Sequence, residues 1–171
     1  MPIKETGRDW RHIFNQWVSL KRRAPGIIGG EAVSFYKQSF KRQGWLDGSL
    51  ERWPPRKLRE AKGRSKGKRG LLIQSGKLRR SIRVVKATKT HVVVGTDVPY
   101  AQIHNEGGRI RQTVKVKAHE RTSKRGKRYD VSEHPRRVNI VIPRRQFMGR
   151  SKSLDGLIEE RLTKEIKRIF K

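Results

Sequence analysis

The sequence predicts a single α+β domain spanning residues 1–171: N-terminal helices, an antiparallel β-sheet carrying a long basic hairpin arm, and an amphipathic C-terminal helix. Three observations predict it. Apolar residues recur at helical spacing near both ends, β-branched runs parted by turn residues fill the middle, and charge is concentrated in the stretches between. Lys and Arg number 44 against 15 Asp and Glu, a net charge of +29. Residues 52–83 and 109–152 carry +12 each, whereas 84–108 is balanced. A near-neutral centre with basic loops is the pattern of a compact domain, and a charge of this size repels itself unless a polyanion or an acidic protein partner lies close by. With 33% hydrophobic residues the chain can bury one modest core.

In the first segment Trp10, Ile13, Phe14, Trp17 and Val18 fall on one helical face. Pro25 should end that helix near Lys21–Gly26, because a proline disfavours the α region for its predecessor. A second helix is then expected over about 27–43, burying Ile28, Ala32, Phe35, Tyr36 and Phe40. Those aromatics read as core rather than as a stacking platform for bases.

Residues 44–62, with Trp45, Gly48, Trp53 and the Pro54-Pro55 pair, read as an extended arm leading into a flexible basic loop at 63–70. In that loop Arg64, Lys66, Lys68 and Arg69 are candidate phosphate contacts, and a solvated charge run is the plainer alternative. Gly63-x-x-x-Gly67-Lys68 is not a nucleotide-binding loop: the glycine spacing is short by one, and Arg69 stands where a hydroxyl is required.

From Ser75, which can cap a helical turn, the chain enters two β-branched runs: Ile82 and Val84, then His91–Val94. With Lys86–Thr90 between them they make a β-hairpin. Tyr100, Ala101, Ile103 and His104 give one helical turn, closed by Gly107-Gly108, a pair suited to positive φ. Arg109–Ala118 alternates as a half-buried strand does, 121–130 forms a basic tip, and 136–142 returns, so 111–142 is a long basic hairpin. Its candidate contacts to nucleic acid or to a neighbouring protein ring are Lys115, Lys117, Arg121, Lys124, Arg125, Lys127 and Arg128. Leu154, Leu157, Ile158, Leu162, Ile166, Ile169 and Phe170 stripe the last helix, for which Ser153 is the expected N-cap. Asp155 and Glu159 near its start and Lys167, Arg168 and Lys171 near its end complement its dipole.

Chemistry is sparse. Without cysteine there is neither a disulfide framework nor a thiolate metal site. His104, His119 and His134 recur every 15 residues without the spacing that orients ligands on one metal, and no serine sits on a nucleophile elbow, so neither catalysis nor a cofactor is expected. No signal sequence and no membrane span is predicted, and a soluble intracellular product is expected. Aromatic residues are scarce in the basic arm, with Tyr129 alone between 109 and 146, which disfavours binding of single strands by stacking.

Three segments carry a resemblance. Ser75-Gly76-Lys77-Leu78 through Ser81-Ile82, then Tyr100-Ala101 through His104 to Gly107-Gly108, then Pro143 through Arg145 to Phe147 occur in an order that resembles the phage virion morphogenesis, or tail completion, family. The resemblance implies a non-enzymatic structural part of a tailed phage or prophage particle, with a tail-terminator-like or neck-protein-like fold. It implies a homo-oligomeric, hexameric ring at the neck or head-proximal tail, assembled in the host cytoplasm. Adjacent neck and tail-tube proteins, and the phage DNA passing through the lumen, would be the partners. The motif residues would hold the fold or a subunit interface, and Phe147 would anchor the connection to the last helix. The rival reading is a basic nucleic-acid-binding accessory protein of packaging or ribosomal type.

Overall fold

The computed structural model describes residues 9–55 and 70–170. The loop predicted at 63–70, with Arg64, Lys66, Lys68 and Arg69, lies outside the described residues except for Gly70. The fold is α+β, with small antiparallel sheets between a long first helix and a last one.

Helix α1 runs unbroken over Trp10–Arg42, and the expected break at Pro25 does not occur. Proline removes one hydrogen bond and crowds the preceding turn, but here tertiary packing spans the position. Helix α4, Lys152–Ile169, lies along α1 and touches both sides of Pro25: Leu154 packs with Ala32 and Phe35, and Ile166 lies near Trp10–Trp17. Asp9 caps α1 through Oδ1, accepting from Arg11 N at 3.1 Å. Gln43 closes it in the left-handed region (φ 54°) and bonds with its side chain to both the N–H and the carbonyl of Leu71.

Most of the buried residues of α1 lie in its second half, with Leu20 the one buried residue of its first half. Phe35 and Phe40 are buried and Tyr36 half-buried, as expected, and the helix sits tightly on the sheet because Gly29 has no side chain: a Cβ there would come 2.6 Å from Val84 Cγ2. The first half is different. Trp10 is 68% and Phe14 63% exposed.

The expected extended arm after α1 is instead a hairpin, β1 (Gly44–Asp47) with β2 (Ser49–Arg52), turning at Gly48 with φ +75°. Burying Trp45 against Phe35 and Trp53 against Phe40 folds this stretch back onto α1. Helix α2 (Lys77–Ser81) starts from Gly76 at φ +69°, so Gly76 is the N-cap and Ser75 stands one residue earlier, accepting from Lys77 N at 3.3 Å. The predicted hairpin forms as β3 (Arg83–Ala87) and β4 (Val92–Gly95). Helix α3 (Ala101–Glu106) follows. Then β5 (Gly108–Val116), β6 (His119–Thr122), β7 (Arg128–Val131) and β8 (His134–Ile142) build the arm, β5 pairing with β8 and β6 with β7.

The expected single antiparallel sheet is therefore replaced, among the described residues, by four separate two-stranded ribbons. Of the short strands, β1, β3 and β4 pack on α1, and β1 also meets α4. At the other end, α4 is capped by Ser151 rather than Ser153, because Ser151 can bridge two elements: its Oγ donates to Leu46 O at 2.7 Å and accepts from Leu154 N at 3.2 Å. Ser153 instead accepts from Gly48 N.

Candidate functional site: a basic arm and the clasp at its root

The arm is built by register. Opposed residues of an antiparallel pair share a face, so Ile110↔Ile140, Gln112↔Val138 and Val114↔Arg136 alternate with Arg109↔Val141, Arg111↔Asn139, Thr113↔Arg137 and Lys115↔Pro135. One face thus collects Ile110, Val114, Val116, Val138, Ile140 and Ile142 together with Gln112, His134 and Arg136, and the other collects Arg109, Arg111, Lys115 and Arg137 with Val141. The strand at Arg109–Ala118 was expected to be half-buried. Only Ile110 and Val116 in it are partly covered, as are Val138 and Ile142 on the same face, while Val114 is 40% and Ile140 47% exposed and the other face is exposed throughout.

Nine residues per strand in β5–β8 extend about 30 Å. Lys117-Ala118 and Ser132-Glu133 then interrupt the ladder, and the Nδ1 atoms of His119 and His134 pair with Lys117 O and Ser132 O, each at 2.9 Å. Both histidines thus bond to backbone at the interruption. Beyond it, Ser123–Lys127 closes the tip, with Gly126 N donating to Ser123 O at 3.0 Å and Gly126 at φ +83°. This is the pattern of a type I turn followed by a left-handed residue, a common three-residue hairpin connection.

Of the predicted contact residues, Lys115, Lys117, Arg121, Lys124, Arg125, Lys127 and Arg128 all lie exposed on this arm. Two have acidic neighbours: Lys115 Nζ is 2.7 Å from Glu133 and Arg128 Nε is 3.7 Å from Glu120. Both pairs are solvent-exposed and contribute little to stability, so they leave the positive potential of the arm largely intact. Residues 109–142 hold eleven bases and three acids. Those charges also keep the two free strand edges from pairing indiscriminately with other chains.

The motif residues assemble at the arm's root. Strand β5 begins directly after Gly107 and β8 ends directly before Pro143, so the Tyr100–Gly108 and Pro143–Phe147 segments are the arm's two feet. They are tied together. Arg145 N donates to His104 O at 2.8 Å, and Asn105 Oδ1 accepts from Phe147 N at 2.9 Å and Met148 N at 3.0 Å. Gly107 adopts φ +77°, and a Cβ there would stand 2.8 Å from Arg144 N, so both backbone angle and space require glycine. Gly108 is extended and opens β5, with its open side against Ile103.

Below the feet lies the core. Phe147 is 1% exposed and packs with its ring 5.2 Å from that of Phe40, beside Leu78 and Ile82 of the Ser75–Ile82 segment. Ser81 Oγ lies 2.6 Å from Thr96 Oγ1, joining the α2 end to the turn after β4. The Arg145 guanidinium is buried and donates to the carbonyls of Pro54 and Pro55, at 3.0 and 3.3 Å, and Trp53 Nε1 donates to Gln146 O at 2.7 Å. So the three segments converge, and they do so to fix the arm. Asn105, Trp53 and Gln146 belong to the clasp although the sequence did not single them out. An asparagine just before a Gly-Gly pair was the one available signal.

Asn105→Ala leaves two part-buried N–H groups without their acceptor. An unmade buried bond costs about 1–3 kcal/mol, so urea unfolding should show a loss of that size, and Asn105→Asp, which keeps an acceptor oxygen, should recover most of it.

His104 adds a pH dependence. It is half-buried, its ring edge-on to Tyr100 at 5.9 Å, and burial, then the nearby Arg145 guanidinium, hold its pKa below the ordinary 6.5. The unfolded chain therefore binds this proton more readily than the folded one. Stability should be complete above about pH 6.5 and fall as the pH drops from there toward the depressed folded value. Chemical denaturation across that window measures the slope, and His104→Asn should flatten it.

Among the described residues no group of three or more His, Cys, Asp or Glu is placed to hold a metal ion, and no helix is long and apolar enough to cross a membrane. In comparisons with known proteins, the model of the phage virion morphogenesis family matches residues 13–167. No curated protein and no solved structure matches.

Proposed function

The chain belongs to the phage virion morphogenesis family, and from that premise we propose that it is a structural, non-enzymatic component that completes the tail or joins head and tail. In this reading it stands at the neck or head-proximal tail as a homo-oligomeric, hexameric ring around the DNA passage, bounded by neck and tail-tube proteins. The observation that carries the reading is the arm. A clamped, two-stranded ribbon with eleven bases and three acids, exposed on both faces, is a device for reaching away from a core toward something acidic. Repeated around a ring, such arms present dozens of positive charges to DNA or to the next ring. No base readout is needed, because phosphate contacts position a duplex without specifying its sequence.

The net charge of +29 also supports a second reading, a nucleic-acid-binding accessory protein. One measurement separates the two: the solution mass by light scattering, with nucleic-acid absorbance, at low salt and at about 1 M salt, where exposed charges are screened beyond roughly 3 Å. A discrete oligomer that persists in high salt, formed alone or on added tail tubes, is the result expected. A monomer that carries nucleic acid only at low salt would overturn the ring in favour of the accessory protein.

A further inference from the structure

Among the described residues two apolar surfaces are left uncovered. One is the apolar face of the arm, and the other is an open groove of ≈ 450 Å³ formed by Trp10, Ile13, Phe14, Trp17, Ile166 and Phe170, where the start of α1 meets the end of α4. Trp10, Phe14 and Phe170 are 68%, 63% and 46% exposed. Aromatic side chains offer about 150–250 Å² each, so these three alone expose roughly 300–400 Å², the size of the largest apolar patch on a typical monomer.

We propose that the groove is the receptor for the arm of a second copy of this chain, apolar face inward, so that each subunit clasps the next head-to-tail. The inference deepens the ring reading above by naming the contact that closes it. Three observations favour this occupant. A two-stranded ribbon is marginal in water unless one face is covered, and this ribbon has one face suited to it. The groove supplies matching apolar side chains on a rigid pair of helices. Charge decides between pairings: residues 9–21 hold one acid and two bases, with Lys21 over the Trp17 ring, and 153–170 hold four of each, so the groove's surroundings carry little net charge. Arm against arm would instead oppose two ribbons that each hold eleven bases and three acids.

Contact between two different surfaces of identical chains propagates until the rotation closes it into a ring. Seated this way, Ile110, Val114 and Ile140 face the neighbour, with Arg136 beside Val114 at the rim of the contact, while Arg109, Arg111 and Arg137 turn outward, toward the lumen or the adjoining ring.

The test exploits the absence of native cysteine. Val114→Cys and Phe14→Cys are prepared as separate full-length chains, mixed, and treated with a short bismaleimide. Within an assembled contact the thiols meet at millimolar effective concentration, so at micromolar protein the mixture should cross-link roughly a hundredfold faster than either variant alone. Cross-linking of Val114→Cys by itself would show arm-to-arm pairing, cross-linking of Phe14→Cys by itself groove-to-groove pairing, and a double variant that links only within a monomer a folded-back arm. Each overturns the proposal. So does an absence of mixed product.

Phe14→Asp supplies an independent readout, because the side chain is largely exposed and its replacement should leave the thermal transition in place while lowering the oligomer mass. Retention of the wild-type mass by Phe14→Asp counts against the proposal. A wild-type oligomer without mixed cross-links leaves the ring standing and removes only this contact, whereas a wild-type chain that stays monomeric even with tail tubes removes both.

Discussion

Phe147→Ala is expected to destabilise the protein by about 3–5 kcal/mol, the range for truncating a buried phenylalanine. The ring is 1% exposed and lies against Phe40, itself packed edge-on to Trp53 at 5.5 Å, so its loss opens a cavity where α1, the β1–β2 hairpin and the arm's second foot meet. Native domains have only about 5–15 kcal/mol to lose. A substantial unfolded population at physiological temperature follows, visible as a lowered midpoint in urea or heat. Phe147→Leu, which refills most of the volume, should lose clearly less. If Phe147→Ala melted within about 1 °C of the wild type, the ring would not be the anchor described here.

The second large effect is functional and should leave the fold untouched. Lys124, Arg125, Lys127 and Arg128 are exposed on the arm's tip, and exposed substitutions of this kind change stability by less than about 0.5 kcal/mol each. Changing all four to alanine should nonetheless cut the yield of infectious particles roughly ten- to a hundredfold, because in the proposed ring the attraction to a polyanion would be weakened in every copy at once. The biochemical counterpart is a shallower salt dependence. Each phosphate contact removed lowers the slope of affinity against salt by about 0.9, so four should lower it by roughly 3.6. Normal yield from a stably folded variant would strip the tip of its proposed role.

The sequence made the periodic elements plain. Alternation in 109–118 and a basic, glycine-containing tip announced the arm, and the β-branched runs on either side of Lys86–Thr90 announced β3–β4. The apolar stripe of 154–170 announced α4. Each of these is a local pattern. What stayed illegible depends on which distant segments meet. Pro25 argued for a break by a sound local rule, and α4 packing on both sides of it decided otherwise. Trp45 and Trp53 gave no periodicity, because the strands of their hairpin are four residues long and are defined by the α1 rings beneath them. Ser151 and Ser153 are equivalent caps on paper, and the carbonyl of Leu46 chose between them.

The candidate site shows the same division. The three motif segments and the arm's charges were identified from residues alone, and the motif segments do come together. Their purpose was not visible. Asn105 and Phe147 stand 42 residues apart in the chain, and only the closing of the intervening hairpin brings the amide oxygen under two backbone N–H groups. Arg145 reads as a motif residue that would hold the fold or an interface, but its neighbours in sequence do not show that it is buried beneath the carbonyls of Pro54 and Pro55. The exposed apolar half of α1 was legible as a helix face, but whether such a face looks inward or outward is a property of the whole fold.

Because both feet of the arm are pinned by one clasp while its length is set by strands that touch mainly each other, reach and anchorage are separately adjustable. Taking two residues from each of β6 and β7 shortens the projection by about 7 Å and returns every side chain to its original face. Taking one from each transposes the faces of all that lies beyond. The arm is therefore a ruler graduated in pairs of residues, and a lineage whose partner stands nearer or farther can slide along it by whole graduations without disturbing the hydrophobic core.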